Sequence, residues 1–152
     1  MDDVDYENLL GQLIRIEGSN LSPYVDVEGR LIVADARYAE SAGVSGRTVA
    51  VLEADVRRVA GELRDQWGGF AALDAVRQRV VVHIAFSMGV TGLLAMGRLG
   101  AALEMGLWDK AAEEILISHW AKREKRRALV LAEMMHTGRD EMNAFQPRRA
   151  SQ

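Results

Sequence analysis

Two carboxylates nine residues apart, Glu17 and Asp26, carry the clearest chemistry in this chain. They bracket Gly18-Ser19-Asn20-Leu21-Ser22-Pro23-Tyr24-Val25, and Asp26 leads into Val27-Glu28-Gly29-Arg30-Leu31-Ile32-Val33. Cleavage of a glycosidic bond needs such a pair. One carboxyl stays protonated and donates to the leaving oxygen, while the other is ionised and activates water or stabilises positive charge on the sugar. A Glu in the last turn of a helix, beside apolar Ile14 and Ile16, suits the acid, because burial and the negative helix end both disfavour its charged form. Asp26 suits the base or charge stabiliser. Asp35 is a substitute base, although side chains alternate along a strand and nothing fixes its aim. Spacing alone does not separate such a pair from ordinary surface charges.

The elements that would position these groups follow from periodicity. Tyr6, Leu9, Leu10, Leu13 and Ile14 recur at helical spacing, so a first helix ends near Ile16 and Gly18 stops it. Pro23 and Gly29 mark turns, and Arg30 to Val33 reads as a short extended run. Residues 39–47 read as a loop, with Ser45 or Thr48 capping the next helix. Val49, Leu52, Val56, Val59 and Leu63 form its apolar stripe, and Trp67-Gly68-Gly69-Phe70 terminates it. From Leu73-Asp74 a helix runs to about Phe86. Its second half, with Val80, Val81, Val82, Ile84 and Ala85, is apolar nearly all round, and periodicity alone also allows a strand.

Thr91 to Leu103 reads as one or two short helices broken at Met105-Gly106, and Asp109 is expected to cap the helix that follows. Glu104, Glu113 and Glu114 read as a solvated face, and Trp67, Phe70 and Trp120 as core anchors. Leu129, Leu131, Met134 and Met135 form a last apolar face, with a loose tail from Asn143. His83 reads as a hydrogen-bonded core or groove residue. With His119 and His136 it forms no metal-ligand pattern, so no metal and no cofactor are implied.

Composition bounds the rest. A chain of 152 residues, 49% apolar, suits one domain that buries a substantial core. It has no cysteine, hence no disulfide and no thiolate metal site. No apolar run approaches the roughly 18 residues of a membrane span, so no membrane insertion is expected. The acidic start, Met1-Asp2-Asp3-Val4-Asp5, does not read as a signal peptide, which implies production in the cytoplasm. A net charge of −3 argues against general nucleic-acid binding. The one basic cluster, Lys122-Arg123-Glu124-Lys125-Arg126-Arg127, is either a solvated helix face or a contact for an anionic polymer or partner. Tyr24 serves either local packing or a sugar platform.

Several of these stretches together resemble one family. Ile16-Glu17-Gly18 followed by Pro23-Tyr24-Val25-Asp26-Val27-Glu28-Gly29 is similar to the catalytic opening of the phage-type lysozymes, family 24 of the glycoside hydrolases. Leu73-Asp74-Ala75-Val76-Arg77-Gln78-Arg79 resembles the start of that family's buried central helix. Phe86-Ser87-Met88-Gly89-Val90-Thr91-Gly92 resembles its Phe-Gln-Met-Gly-x-x-Gly turn, and Leu107-Trp108-Asp109-Lys110-Ala111-Ala112 its Trp-Asp-x-Ala-Ala helix start. Ser118-His119-Trp120, Arg127-Ala128 and Thr137-Gly138 fall where the family has Ser-Arg-Trp, Arg-Ala and Thr-Gly. The series spans about residues 6–140, in order.

The resemblance implies an α+β, mostly helical, two-lobe fold in one domain. A reduced β-hairpin lobe would span about 17–50, and a helical lobe, about 1–16 and 60–145, would surround a central buried helix. It implies a muramidase that cuts the β-1,4 bond between N-acetylmuramic acid and N-acetylglucosamine in peptidoglycan, with Glu17 as acid and Asp26 as second carboxylate. Tyr24, Ile32, Arg37, Ser87 and Met88 fall at expected substrate-binding positions. The chain departs from the family where it has Thr-x-Gly-x-Gly-His. Here the run is Ile32-Val33-Ala34-Asp35-Ala36-Arg37, without the water-holding hydroxyl, the two glycines or the histidine. Ser87 replaces the family's Gln and reaches less far, and Arg37 pairs with Asp35 or with Glu17. Two alternatives stand beside hydrolysis: an inactive lysozyme-fold protein that binds glycan or a protein partner, and a transglycosylase that excludes water. A monomer is expected, and action on a wall would need release or carriage in a particle.

Overall fold

The computed structural model describes residues 3–17, 24–25, 31–32, 46–141 and 143–145, with side chains for 5–13, 16, 53–141 and 143–145. The chain is mostly helical. In order it forms α1 (Asp3–Glu17), β1 (Tyr24–Val25), β2 (Leu31–Ile32), α2 (Gly46–Gln66), a 3-10 turn (Phe70–Ala72), α3 (Ala75–Met88), α4 (Val90–Leu94), α5 (Gly97–Glu104), α6 (Trp108–Leu116), α7 (His119–Arg123) and α8 (Lys125–Thr137). β1 and β2 pair antiparallel, Tyr24 opposite Ile32 and Val25 opposite Leu31. No helix among the described residues is long and apolar enough to cross a membrane.

The fold is built around α3. Seven consecutive residues, Arg79 to Ala85, are buried there, so the helix has no solvent face over two turns. Val80, Val81, Val82 and Ile84 are poor helix formers, costing roughly 0.5 kcal/mol each relative to alanine. Burial of each side chain contributes about 1.5–3 kcal/mol in the other direction, so tertiary packing decides for helix over strand. α1, α2, α4 and α8 all pack on it. α1 delivers Tyr6, Leu9 and Leu13, α2 delivers Val56, Val59 and Leu63, and α8 delivers Leu131, Met134 and Met135.

Polar groups fix the register of these helices. His83 is fully buried in α3, and its Nδ1 lies 3.0 Å from Gln12 Nε2 of α1. With the amide nitrogen turned to the ring, Nδ1 accepts. Arg57 of α2 lies 4.1 Å above the Tyr6 ring, which ties α2 to α1. At the start of α3, Asp74 caps the helix by accepting from the Arg77 backbone N–H at 3.2 Å. The Arg77 side chain then crosses to α8. Nε donates to the Met135 carbonyl at 2.7 Å, Nη2 to the His136 carbonyl at 3.1 Å, and Nη1 to Asp74 at 3.0 Å. Its guanidinium lies 4.0 Å over the Trp108 ring. α8 ends at Gly138 with φ +70°, a left-handed conformation that glycine takes without strain.

Several expectations are corrected. Asp109 does not cap α6, which begins at Trp108 after Leu107; it lies in the first turn and its carboxylate meets His136 Nε2 at 2.8 Å. Thr48 lies inside α2 rather than at its cap, and Ser45 lies outside the described residues. Leu129 is 54% exposed, because α8 turns only Ala128, Leu131, Ala132, Met134 and Met135 inward. Ala144 is buried, so the chain is still packed at that residue, while Phe145 is exposed. Glu114 is buried in α6, not part of a solvated face.

Candidate active-site cleft

The C-terminal end of α3 opens onto a cleft. Ser87 and Met88 occupy its last turn, and Gly89 reverses the chain into α4 with φ +93°. The next wall comes from α7, whose start is set by Ser118. The Ser118 hydroxyl accepts from the Ala121 N–H at 3.1 Å and donates to the Ile115 carbonyl at 2.7 Å. That cap aims Trp120 inward. Its ring is 2% exposed and its Nε1 donates to Ser87 Oγ at 2.9 Å. Serine at this position therefore satisfies the buried indole and keeps the two helices in register, although it reaches less far than glutamine would.

Met88, Gly92, Met96, Arg98, Glu114 and Trp120 contribute to a cleft of about 450 Å³ between α4, α5, α6 and α7. Glu114 is 6% exposed. Lys110 Nζ approaches its Oε1 to 3.3 Å without the direction of a hydrogen bond, so the contact is an ion pair only. The lysine side chain is half exposed, and such a pair is screened by solvent. Glu114 thus stands buried in the cleft wall with Lys110 as its ion-pair partner, and Arg98 lines the same cleft. Sequence reading missed this residue, yet a signal was present. Glu114 follows Ala111 by three positions and precedes Ile115, so it falls on the inward stripe of α6.

The expected site residues fall into two groups. Ser87 and Met88 come together with Trp120 on the α3 side. Separately, Glu17 is the last residue of α1, and Tyr24 and Ile32 are cross-strand partners in β1 and β2. β2 lies against α2. The side chains of Glu17, Tyr24 and Ile32 lie outside the described residues, as do Asp26, Asp35 and Arg37 altogether. In sequence, Asp26 follows the last residue of β1 directly. Ile32 carries no hydroxyl, whatever its orientation, and cannot hold a water by hydrogen bonding.

His119 lines the cleft, whereas His83 is turned into the core against Gln12. Among the described residues no group of three or more His, Cys, Asp or Glu is placed to hold a metal ion. No protein-family model matches the chain, and no curated protein matches it either.

Proposed function

We propose that the protein is a lysozyme-like muramidase acting on the β-1,4 bond between N-acetylmuramic acid and N-acetylglucosamine, with Glu17 as general acid and Asp26 as base or charge stabiliser. One observation carries the reading. A helix packed on a buried central helix ends at Glu17 and is followed by an antiparallel strand pair, with Asp26 next in sequence after its first strand. This is the order and spacing that the resemblance to the phage-type lysozymes requires, and it supports a small hairpin lobe beside a helical lobe. Glu17 in its protonated form would donate to the glycosidic oxygen as the bond breaks. Asp26 would offset the positive charge that develops on the sugar, or take a proton from the attacking water. The cleft between α4, α5, α6 and α7 would receive a further part of the substrate.

A second reading rests on Ile32. It stands in β2 where the family places a water-holding threonine, and it favours a protein that binds glycan without hydrolysing it, or one that transfers the sugar without water. Digestion of purified peptidoglycan beside a Glu17→Gln variant separates the three. New reducing muramic acid ends, absent with the variant, are the expected result. Anhydro-muramic ends would mean transglycosylation. No product from folded protein at high concentration would overturn catalysis on this substrate.

A further inference from the structure

Four cations, Lys122, Arg123, Lys125 and Arg126, fall within five consecutive residues where α7 passes into α8. All four are exposed, and none has an acidic partner among the described residues. The one acid between them, Glu124, is taken by Arg127. Lys122 and Arg123 close α7 and complement the negative end of its dipole. Lys125 and Arg126 do the opposite. They open α8, which has no acidic residue in its first turn, so they add positive charge where the helix already presents it. Folding does not favour that arrangement. Set against a net charge of −3, these four leave the remainder of the chain at −7. Four cations without an acidic partner among the described residues thus stand close together in a chain whose remainder is net acidic.

This patch adjoins the cleft. α7 is five residues long, its first turn bears His119 and Trp120 in the cleft wall, and its last bears Lys122 and Arg123. About 5 Å of helix separates the two, at 1.5 Å per residue. The cleft holds groups of both signs, Glu114 with its Lys110 partner and Arg98, while the patch outside it is cationic throughout. A long anionic chain therefore fits the patch, running alongside the cleft, better than it fits a cleft of mixed charge.

We propose that this patch docks a phosphodiester-linked polymer of the cell wall and so holds the protein on its substrate, an inference that rests on the muramidase reading. Arginine and lysine side chains at this density match spaced phosphates, with the guanidinium forks giving bidentate contacts. A duplex nucleic acid fits less well. It carries about one charge per 1.7 Å along its axis, and beyond the patch that density would meet a chain that is net acidic.

The test is retention on intact wall sacculi, using the Glu17→Gln background so that cleavage does not enter the readout. Sacculi are compared before and after acid removal of their phosphodiester polymer, at about 20 and 200 mM salt. The background protein is expected to bind polymer-bearing sacculi about tenfold better than stripped ones at low salt, and to lose most of that advantage at high salt. Lys125→Gln with Arg126→Gln should remove most of the difference. Arg58→Gln with Arg64→Gln on α2, an equal change in charge, should leave it in place. Circular dichroism checks that both doubles remain folded. Equal retention on stripped sacculi, equal losses from the two doubles, or tighter patch-dependent binding to duplex DNA or anionic vesicles would each overturn the proposal. Patch-dependent retention by a wild-type protein that releases no sugar ends would uphold the docking surface and remove the muramidase reading.

Discussion

The two ends of α3 are held in unlike ways. At its start, Asp74 caps the helix while Arg77 reaches two carbonyls of α8, the Asp74 carboxylate and the face of Trp108. At its finish, one hydrogen bond from Trp120 meets the exposed Ser87, and a positive-φ glycine turns the chain. The first end is over-determined. The second lines the cleft with few fixed contacts. Stability and access are thus separated along one helix, which lets the cleft end adjust around a substrate without loosening the core.

That contrast can be broken from its strong end first. Arg77→Ala removes hydrogen bonds from a charged donor and leaves the last carbonyls of α8 poorly served. The expected loss is about 3 kcal/mol, or roughly 6–12 °C in Tm, measured by urea and thermal unfolding. A loss under about 1 kcal/mol would show that the two ends are equally held. Trp120→Phe should cost about 1–2 kcal/mol, since it deletes the indole N–H and part of a buried ring. Ser87→Ala should cost about 1 kcal/mol by stranding that N–H. In the double variant the two losses should fall short of additivity by about 0.5–1 kcal/mol, a coupling that a double-mutant cycle reads directly. The smallest effect runs the other way. Gly100 lies within α5, and a Cβ there would meet nothing within 4 Å. Gly100→Ala should therefore stabilise by about 0.5–1 kcal/mol, and a loss of stability would mean that α5 needs its glycine for packing.

Much of the large helical part was legible because its signals were local. The stripe of Val56, Val59 and Leu63, the helix start at Leu73-Asp74 and the break at Met105-Gly106 were readable from spacing and residue type, and the turn at Gly89 from the resemblance. The central helix was legible only with the resemblance, because its valine run fits a buried strand equally well until a packing partner is specified. What escaped depends on contacts distant in sequence. Asp109 looked like a cap, but it is drawn to His136 across α6 and α8. Glu114 looked solvated by residue type although its position on the helix turned it inward. Leu129 looked like core although α8 turns it outward. For the candidate site, sequence named the residues and their order. The orientations of Glu17, Tyr24 and Ile32 depend on how a short hairpin sits on its neighbours, which no local pattern encodes.

Arg77 also bears on when the fold can be completed. Its acceptors at Met135 and His136 lie 58 and 59 residues later in the chain. α3 and α1 are each covered in part by α8. A nascent chain that has not yet exposed α8 therefore holds a valine-rich helix with one side bare and a guanidinium with no carbonyls to bind. During synthesis such a chain stays open to aggregation and to chaperones until α8 emerges, and the contacts that then form at long sequence separation are the slow ones. α8 thus closes the core, and a truncation upstream of Met135 should yield insoluble protein rather than a smaller folded one.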